Sequence, residues 1–141
     1  MRPRLFDALQ GVSRILHAGD VGGHGVLDEL GAIAPVLAVY GNVDPPGPPL
    51  EGRQLVTAGG LTVHVSHGHE LGSPTPAKLL AAYGGDIVVY GHTHKALVQR
   101  HGARLVVNPG AAGPRRFNLA PSVARLTIAG GRADVEIIEL R

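Results

Sequence analysis

Four short apolar runs in this chain end on a glycine set beside a residue type that binds metals. ILHAGD closes on Gly19-Asp20, LAVYGN on Gly41-Asn42, LTVHVSHGH on His67-Gly68-His69, and IVVYGHTH on Gly91-His92-Thr93-His94. Helix-like segments lie between them: GVLDELGAIA separates the first two, and TPAKLLAAYGG precedes the last. Strand-like and helix-like segments in alternation specify an α/β sheet with parallel strands. In open sheets of that class, ligands bind beyond the carboxyl ends of the strands, where successive loops converge. The glycines let the backbone turn sharply there, so that each polar side chain can face that crevice.

The remaining punctuation fits the same plan. Thr75 as N-cap, Pro76 in the first turn and Gly84 as a stop predict a short crossover helix. Three hairpins are expected: Gly59-Gly60 between RQLVTA and LTVHVS, His101-Gly102 between ALVQR and ARLVV, and Gly130-Gly131 between SVARLTI and RADVEIIEL. The second half is therefore the more antiparallel one. PPGPP at 45–49 is a stiff loop and not a linker, because too little chain precedes it to form a core. Residues 1–141 read as a single domain, long enough to bury about two-thirds of its unfolded surface.

Taken singly, a Gly-Asp or Gly-Asn after a strand is a turn, and a polar His-Gly-His is a loop. Taken together, Asp20, Asn42, His67, His92 and His94 at four successive strand ends make a nitrogen and oxygen donor set. With no cysteine in the chain, that set suits a first-row divalent ion. His92 and His94 stand two apart in a loop, a spacing that lets them serve neighbouring ions about 3.5 to 4 Å apart. His17 and His64 lie inside strand runs and read as core or sheet-face histidines, and His101 as an exposed turn residue. The glycines of GDVGGHG around His24 match neither the P-loop nor the dinucleotide spacing. Asn108, in VVNPGAAGPRR, sits at a further strand end and can reach the same face, whereas Arg115 and Arg116 read as solvated surface.

Charge excludes some partners. The formal net charge is +2, and the 13 basic residues are spread singly apart from Arg115-Arg116. With three tyrosines, two phenylalanines and no tryptophan, there is neither the basic stripe nor the stacking platform that nucleic acid requires. No secretory leader and no apolar stretch near 18 residues is present, so a cytoplasmic protein without membrane association is expected.

The ordered motifs GD, GN, HGH and GHTH, followed by NPG, closely resemble the calcineurin-like metallophosphoesterase superfamily, in particular its small YfcE-type bacterial and archaeal phosphodiesterases. The resemblance runs from Ile15 through the terminal strands. It implies a four-layer α/β sandwich, two mixed β-sheets flanked by helices, with a dinuclear site at the strand ends. By that resemblance Asp20 bridges two ions, Asn42, His67 and His92 complete the shell of one, with Asn42 also contacting phosphate, and His94 binds the other. Manganese, nickel, iron or zinc are the implied ions. The implied reaction is hydrolysis of a small phosphodiester by a metal-bridging hydroxide.

Two departures qualify the resemblance. Such proteins normally open with a strand ending in Asp-x-His, and this sequence begins MRPRLFDALQG, which resembles the first helix that follows that loop. The expectation is a fold lacking its first strand, with one ion site of four protein ligands and a second, weak one left with Asp20 and His94. Exposed sheet edges then favour a homodimer. Where many relatives carry Gly-Asn-His, this chain has Gly41-Asn42-Val43. Valine supplies no proton, so His69 is the candidate acid. The alternative is a non-catalytic protein-binding scaffold of the same fold, as in the retromer subunit that shares it.

Overall fold

The computed structural model describes residues 7–17, 30–39, 53–68, 74–91, 96–110 and 122–139. Within them lie nine strands and one complete helix: β1 (Ile15–His17), β2 (Val36–Ala38), β3 (Arg53–Ala58), β4 (Leu61–Ser66), α1 (Pro76–Ala82), β5 (Ile87–Val89), β6 (Leu97–His101), β7 (Arg104–Asn108), β8 (Ser122–Ala129) and β9 (Arg132–Glu139).

The largest sheet has the order β3-β4-β5-β7-β6. Its centre is parallel, Val63 standing opposite Ile87 and Ile87 opposite Leu105. Its two edges are antiparallel hairpins, β3 with β4 and β6 with β7. Parallel strands need a crossover, and α1 provides the one between β4 and β5. The apolar run of β5, Ile87, Val88 and Val89, is buried throughout, as a strand covered on both faces must be.

Side-chain alternation divides the core into layers. Val63, Val65, Ile87, Val89, Leu105 and Val107 form one face, and Leu16, Leu37, Leu126, Ile128 and Val135 pack against it from β1, β2, β8 and β9. The opposite face, with Val88, Tyr90 and Val106, receives Leu79 of α1. Beyond β1 and β2, Ile15 is buried with Leu9, Leu30 and Ala34, and Val36 and Val123 pack against that cluster. The order is thus helix, five-stranded sheet, second strand layer, and a fourth layer from residues around Leu9 and Leu30. This is an α/β sandwich of the expected kind.

Three details differ from the sequence reading. The second strand layer consists, among the described residues, of a parallel pair β1-β2 and an antiparallel pair β8-β9 rather than one continuous ladder. Both pairs pack on the five-stranded sheet, and Arg125 of β8 ties its hairpin to the segment before β1, its guanidinium donating to the carbonyls of Ala8 (3.1 Å) and Gln10 (2.9 Å). The turn between β6 and β7 is Gly102-Ala103, one residue later than expected, since His101 pairs with Arg104. The helix stops at Tyr83, in an extended conformation, rather than at Gly84. The Arg104 guanidinium explains that stop, donating to the carbonyls of Leu80 (2.9 Å), Tyr83 (2.7 Å) and Gly85 (2.9 Å). It satisfies carbonyls that a helix end leaves without partners.

The helix start is as expected. Pro76 stands in the first turn and the Thr75 hydroxyl accepts from the Lys78 amide at 3.3 Å. The Gly59-Gly60 turn has both residues at positive φ, 55° and 85°, the conformation a two-residue hairpin needs. It also meets the β8-β9 hairpin, whose Gly131 amide donates to the Gly59 carbonyl at 3.1 Å. No helix among the described residues is long and apolar enough to cross a membrane.

Candidate functional site

The described residues fix the frame of the expected site and one member of it. β4, β5 and β7 run parallel and side by side, so their carboxyl ends share one edge of the sheet. At that edge stand His67, immediately after β4, the Tyr90-Gly91 pair after β5, and Asn108, the last residue of β7. His67 is 2% exposed and continues the row of Val63 and Val65, the face turned to the second strand layer. Its carbonyl accepts from the Gly91 amide at 3.0 Å. Two motifs 24 residues apart in the sequence, HGH and GHTH, are thereby joined at their roots.

Asp20, Asn42, His69, His92 and His94 lie outside the described residues, as do Arg115 and Arg116. The strands that lead to them do not. β1 ends three residues before Asp20, and β5 three residues before His92. β1 and β2 are parallel and in register, Ile15 opposite Val36, and the Val39 amide extends the ladder by donating to the His17 carbonyl at 3.1 Å. Asp20 and Asn42 therefore follow the same end of two adjacent parallel strands. Among the described residues alone, no three His, Asp or Glu side chains gather as a metal cluster.

Gly68 shows why glycine recurs at these ends. Its φ is +94°, and a Cβ there would stand 3.2 Å from Pro74 Cβ and 3.8 Å from Tyr90 Cβ. The chain leaves His67 through a slot that a side chain would fill, in a conformation favouring glycine.

Asn108 is wholly buried. Its Nδ2 donates to the Gly91 carbonyl at 3.2 Å, and its Oδ1 accepts from the Gly110 amide at 2.9 Å. These partners orient the amide without ambiguity, because the flipped group would set like against like. Asn108 also hydrogen-bonds Tyr90, whose hydroxyl pKa is raised above 10.0 by burial, the bond to Asn108 acting the other way. The sequence put Asn108 at this edge but gave no sign of what it holds. Tyr90 escaped the sequence reading as one more apolar residue of a strand.

His64 and His101 fall as expected, and His24 lies outside the described residues. His64 is 3% exposed and stacks on Tyr83, ring centroids 4.3 Å apart at 18°. His101 is exposed in its hairpin.

Comparison with known proteins agrees with this frame. The profile of the calcineurin-like phosphoesterase superfamily domain matches residues 1–131. Over 138 residues the chain is 34% identical to a probable metallophosphoesterase of Methanothermobacter thermautotrophicus, an overlap covering 95% of this chain and 80% of that protein. It is 32% identical over 114 residues to the probable metallophosphoesterase YsnB of Bacillus subtilis, covering 77% of this chain and 66% of YsnB. Among solved structures, Vps29 of Entamoeba histolytica complexed with zinc superimposes with a TM-score of 0.80 at 25% identity, covering 100% of this chain and 91% of that one. An archaeal phosphodiesterase shares the fold at a TM-score of 0.72 and 21% identity, over 96% of this chain and 88% of its own. With its motifs in order and its strand ends so placed, the chain belongs to the calcineurin-like phosphoesterase superfamily.

Proposed function

We propose that this chain is a metal-dependent phosphoesterase whose substrate is a small phosphodiester. The observation that carries the reading is the buried His67 at the carboxyl end of β4, bonded through its backbone to Gly91, the residue before His92. The donor chemistry fits a divalent first-row ion: imidazole, carboxylate and amide, with no thiolate in the chain. Asp20, Asn42, His67 and His92 would hold one ion, and Asp20 with His94 would offer a weaker second place. Bound there, such ions supply Lewis acidity toward phosphate oxygens and a nucleophilic hydroxide from water near neutral pH.

The protein's own residues supply the rest. The Asn42 amide would contact a phosphate oxygen as well as the ion. His69 gives its proton to the departing alkoxide oxygen as the P–O bond breaks, a role Val43 cannot take. Manganese, nickel, iron and zinc all suit the donor set, and the zinc complex of the Entamoeba protein supports such occupancy. Hydrolysis of an aryl phosphodiester with added manganese tests the reading. The Asp20→Ala variant should lose the stimulated rate, and an unchanged rate would sink it.

One observation favours a second reading. Solved relatives at TM-scores near 0.80 are Vps29 proteins, and one from Chaetomium thermophilum is complexed with a cyclic peptide. A protein-binding scaffold would show no manganese-stimulated turnover and would keep its partners when Asp20 is replaced. A homodimer is also proposed, on the expectation of exposed sheet edges, which favour association. Sedimentation as a monomer at micromolar concentration would exclude it.

A further inference from the structure

The register of the sheet places three polar residues in one row. Val65 stands opposite Val89 and Val89 opposite Val107, so the next step aligns Ser66, Tyr90 and Asn108. Ser66 and Asn108 are wholly buried and Tyr90 is 3% exposed. This row lies on the α1 side, behind the edge where His67 and the GHTH motif emerge. An apolar residue would fill the Asn108 position at less cost, because a buried amide must find partners for its donors and acceptor.

One of those partners is local. The bond from the Gly110 amide to Asn108 Oδ1 spans two residues and is the self-contained turn that asparagine makes before Pro-Gly. A second reaches 17 residues back, from Nδ2 to the Gly91 carbonyl, and turn formation does not call for it; a third is the Tyr90 side chain, its neighbour in the row. Gly91 is thereby held from both sides, its amide by the His67 carbonyl and its carbonyl by Asn108. A peptide unit is planar, so holding the Gly91 oxygen holds the plane in which the chain sets out toward His92.

We infer that Asn108 is a positioning residue for the histidine loop. Its side chain fixes the Gly91 peptide, the unit from which the sequence leads directly into His92, a proposed ligand of a divalent ion. The inference rests on the proposed metal reading for its consequence, though not for its geometry. Groups that hydrogen-bond a metal ligand from behind commonly tune metal affinity by about 10- to 100-fold, and a group acting one peptide away should fall at the low end of that range.

Asn108→Asp separates the two backbone bonds. The carboxylate keeps the acceptor that Gly110 uses, loses the donor that Gly91 uses, and sets negative charge against the Gly91 oxygen. The Gly91 amide keeps its own bond to the His67 carbonyl, but local opening of Gly91 no longer has to break the bond to its carbonyl, so amide hydrogen exchange on the metal-free chain should be roughly fivefold to tenfold faster at Gly91, with Gly110 unmoved. In Asn108→Ala both should speed up. Manganese titration by calorimetry should show about 10-fold or greater loss of affinity in Asn108→Asp, although added negative charge alone would raise it. Leu79→Ala, destabilised beneath α1, should keep the manganese affinity of the unaltered chain. Unchanged Gly91 exchange in Asn108→Asp would overturn the inference, as would an equal loss of affinity in Leu79→Ala. If the unaltered chain takes up no manganese, the metal reading fails, and the Gly91 and Gly110 exchange pattern alone decides whether Asn108 positions the loop.

Discussion

The imidazole of His64 lies stacked on the ring of Tyr83, centroids 4.3 Å apart and planes 18° from parallel. The contact joins the middle of β4 to the residue that ends α1, so the strand before HGH is tied to the far end of the helix that follows it. Such a pair is worth about 0.5 to 1.5 kcal/mol beyond the area it buries. Tyr83→Ala should cost more than that in urea unfolding, because the buried ring area is lost as well. Tyr83→Phe should cost little, since the stack survives.

Arg104 closes the same corner from β7. Its guanidinium reaches three carbonyls, of Leu80, Tyr83 and Gly85, which only a planar fork of donors can satisfy together. Arg104→Ala should destabilise by about 1.5 to 3 kcal/mol. Arg104→Lys should recover less than half of that in denaturant titration. Full recovery by lysine would mean that charge rather than geometry is what matters.

Gly68→Ala should be disproportionately costly for one methyl group. It demands φ near +94° of an alanine and sets Cβ 3.2 Å from Pro74, strain of about 1 to 3 kcal/mol. Because Gly68 adjoins His67, manganese-stimulated hydrolysis should fall along with the melting temperature. A variant as stable as the parent would show that the slot opens freely.

Tyr90 makes stability sensitive to alkali. Its hydroxyl pKa is raised in the folded state, from 10.0, chiefly by burial. The unfolded chain therefore releases this proton first, and the contribution is complete below pH 10 and lost as pH rises through the folded value. The stability of Tyr90→Phe, followed by urea unfolding between pH 8 and 11, should decline less steeply than that of the parent. Parallel curves would show that the Tyr90 proton is not linked to folding.

His67→Ala should abolish manganese-stimulated hydrolysis, and His101→Ala, in an exposed hairpin, should leave it unchanged. Loss of activity in both would point to folding rather than ligation. Calorimetry on the same pair, with manganese alone, reads the ligand role without a substrate.

Local signals suffice for the succession of strands along the chain, the hairpins at Gly59-Gly60 and Gly130-Gly131, the start of α1 at Thr75-Pro76, and the residue types collected at strand ends. These are local matters: backbone freedom at glycine, the fixed φ of proline, and apolar runs bounded by polar ends, all carried by neighbours in the chain. Where α1 ends is a long-range matter. The stop at Tyr83 is set by Arg104, 21 residues away, and no short-range signal reports such a partner. The same holds for the bond between Asn108 and Gly91, which exists because β5 and β7 lie in one parallel register. Asn108 reads as a turn residue in NPG, and its second role arises from a pairing that sequence spacing does not encode. What the sequence displays is which chemistry is available at each strand end; which of those ends are tied together, and by what, follows from long-range hydrogen bonds that form when the sheet assembles.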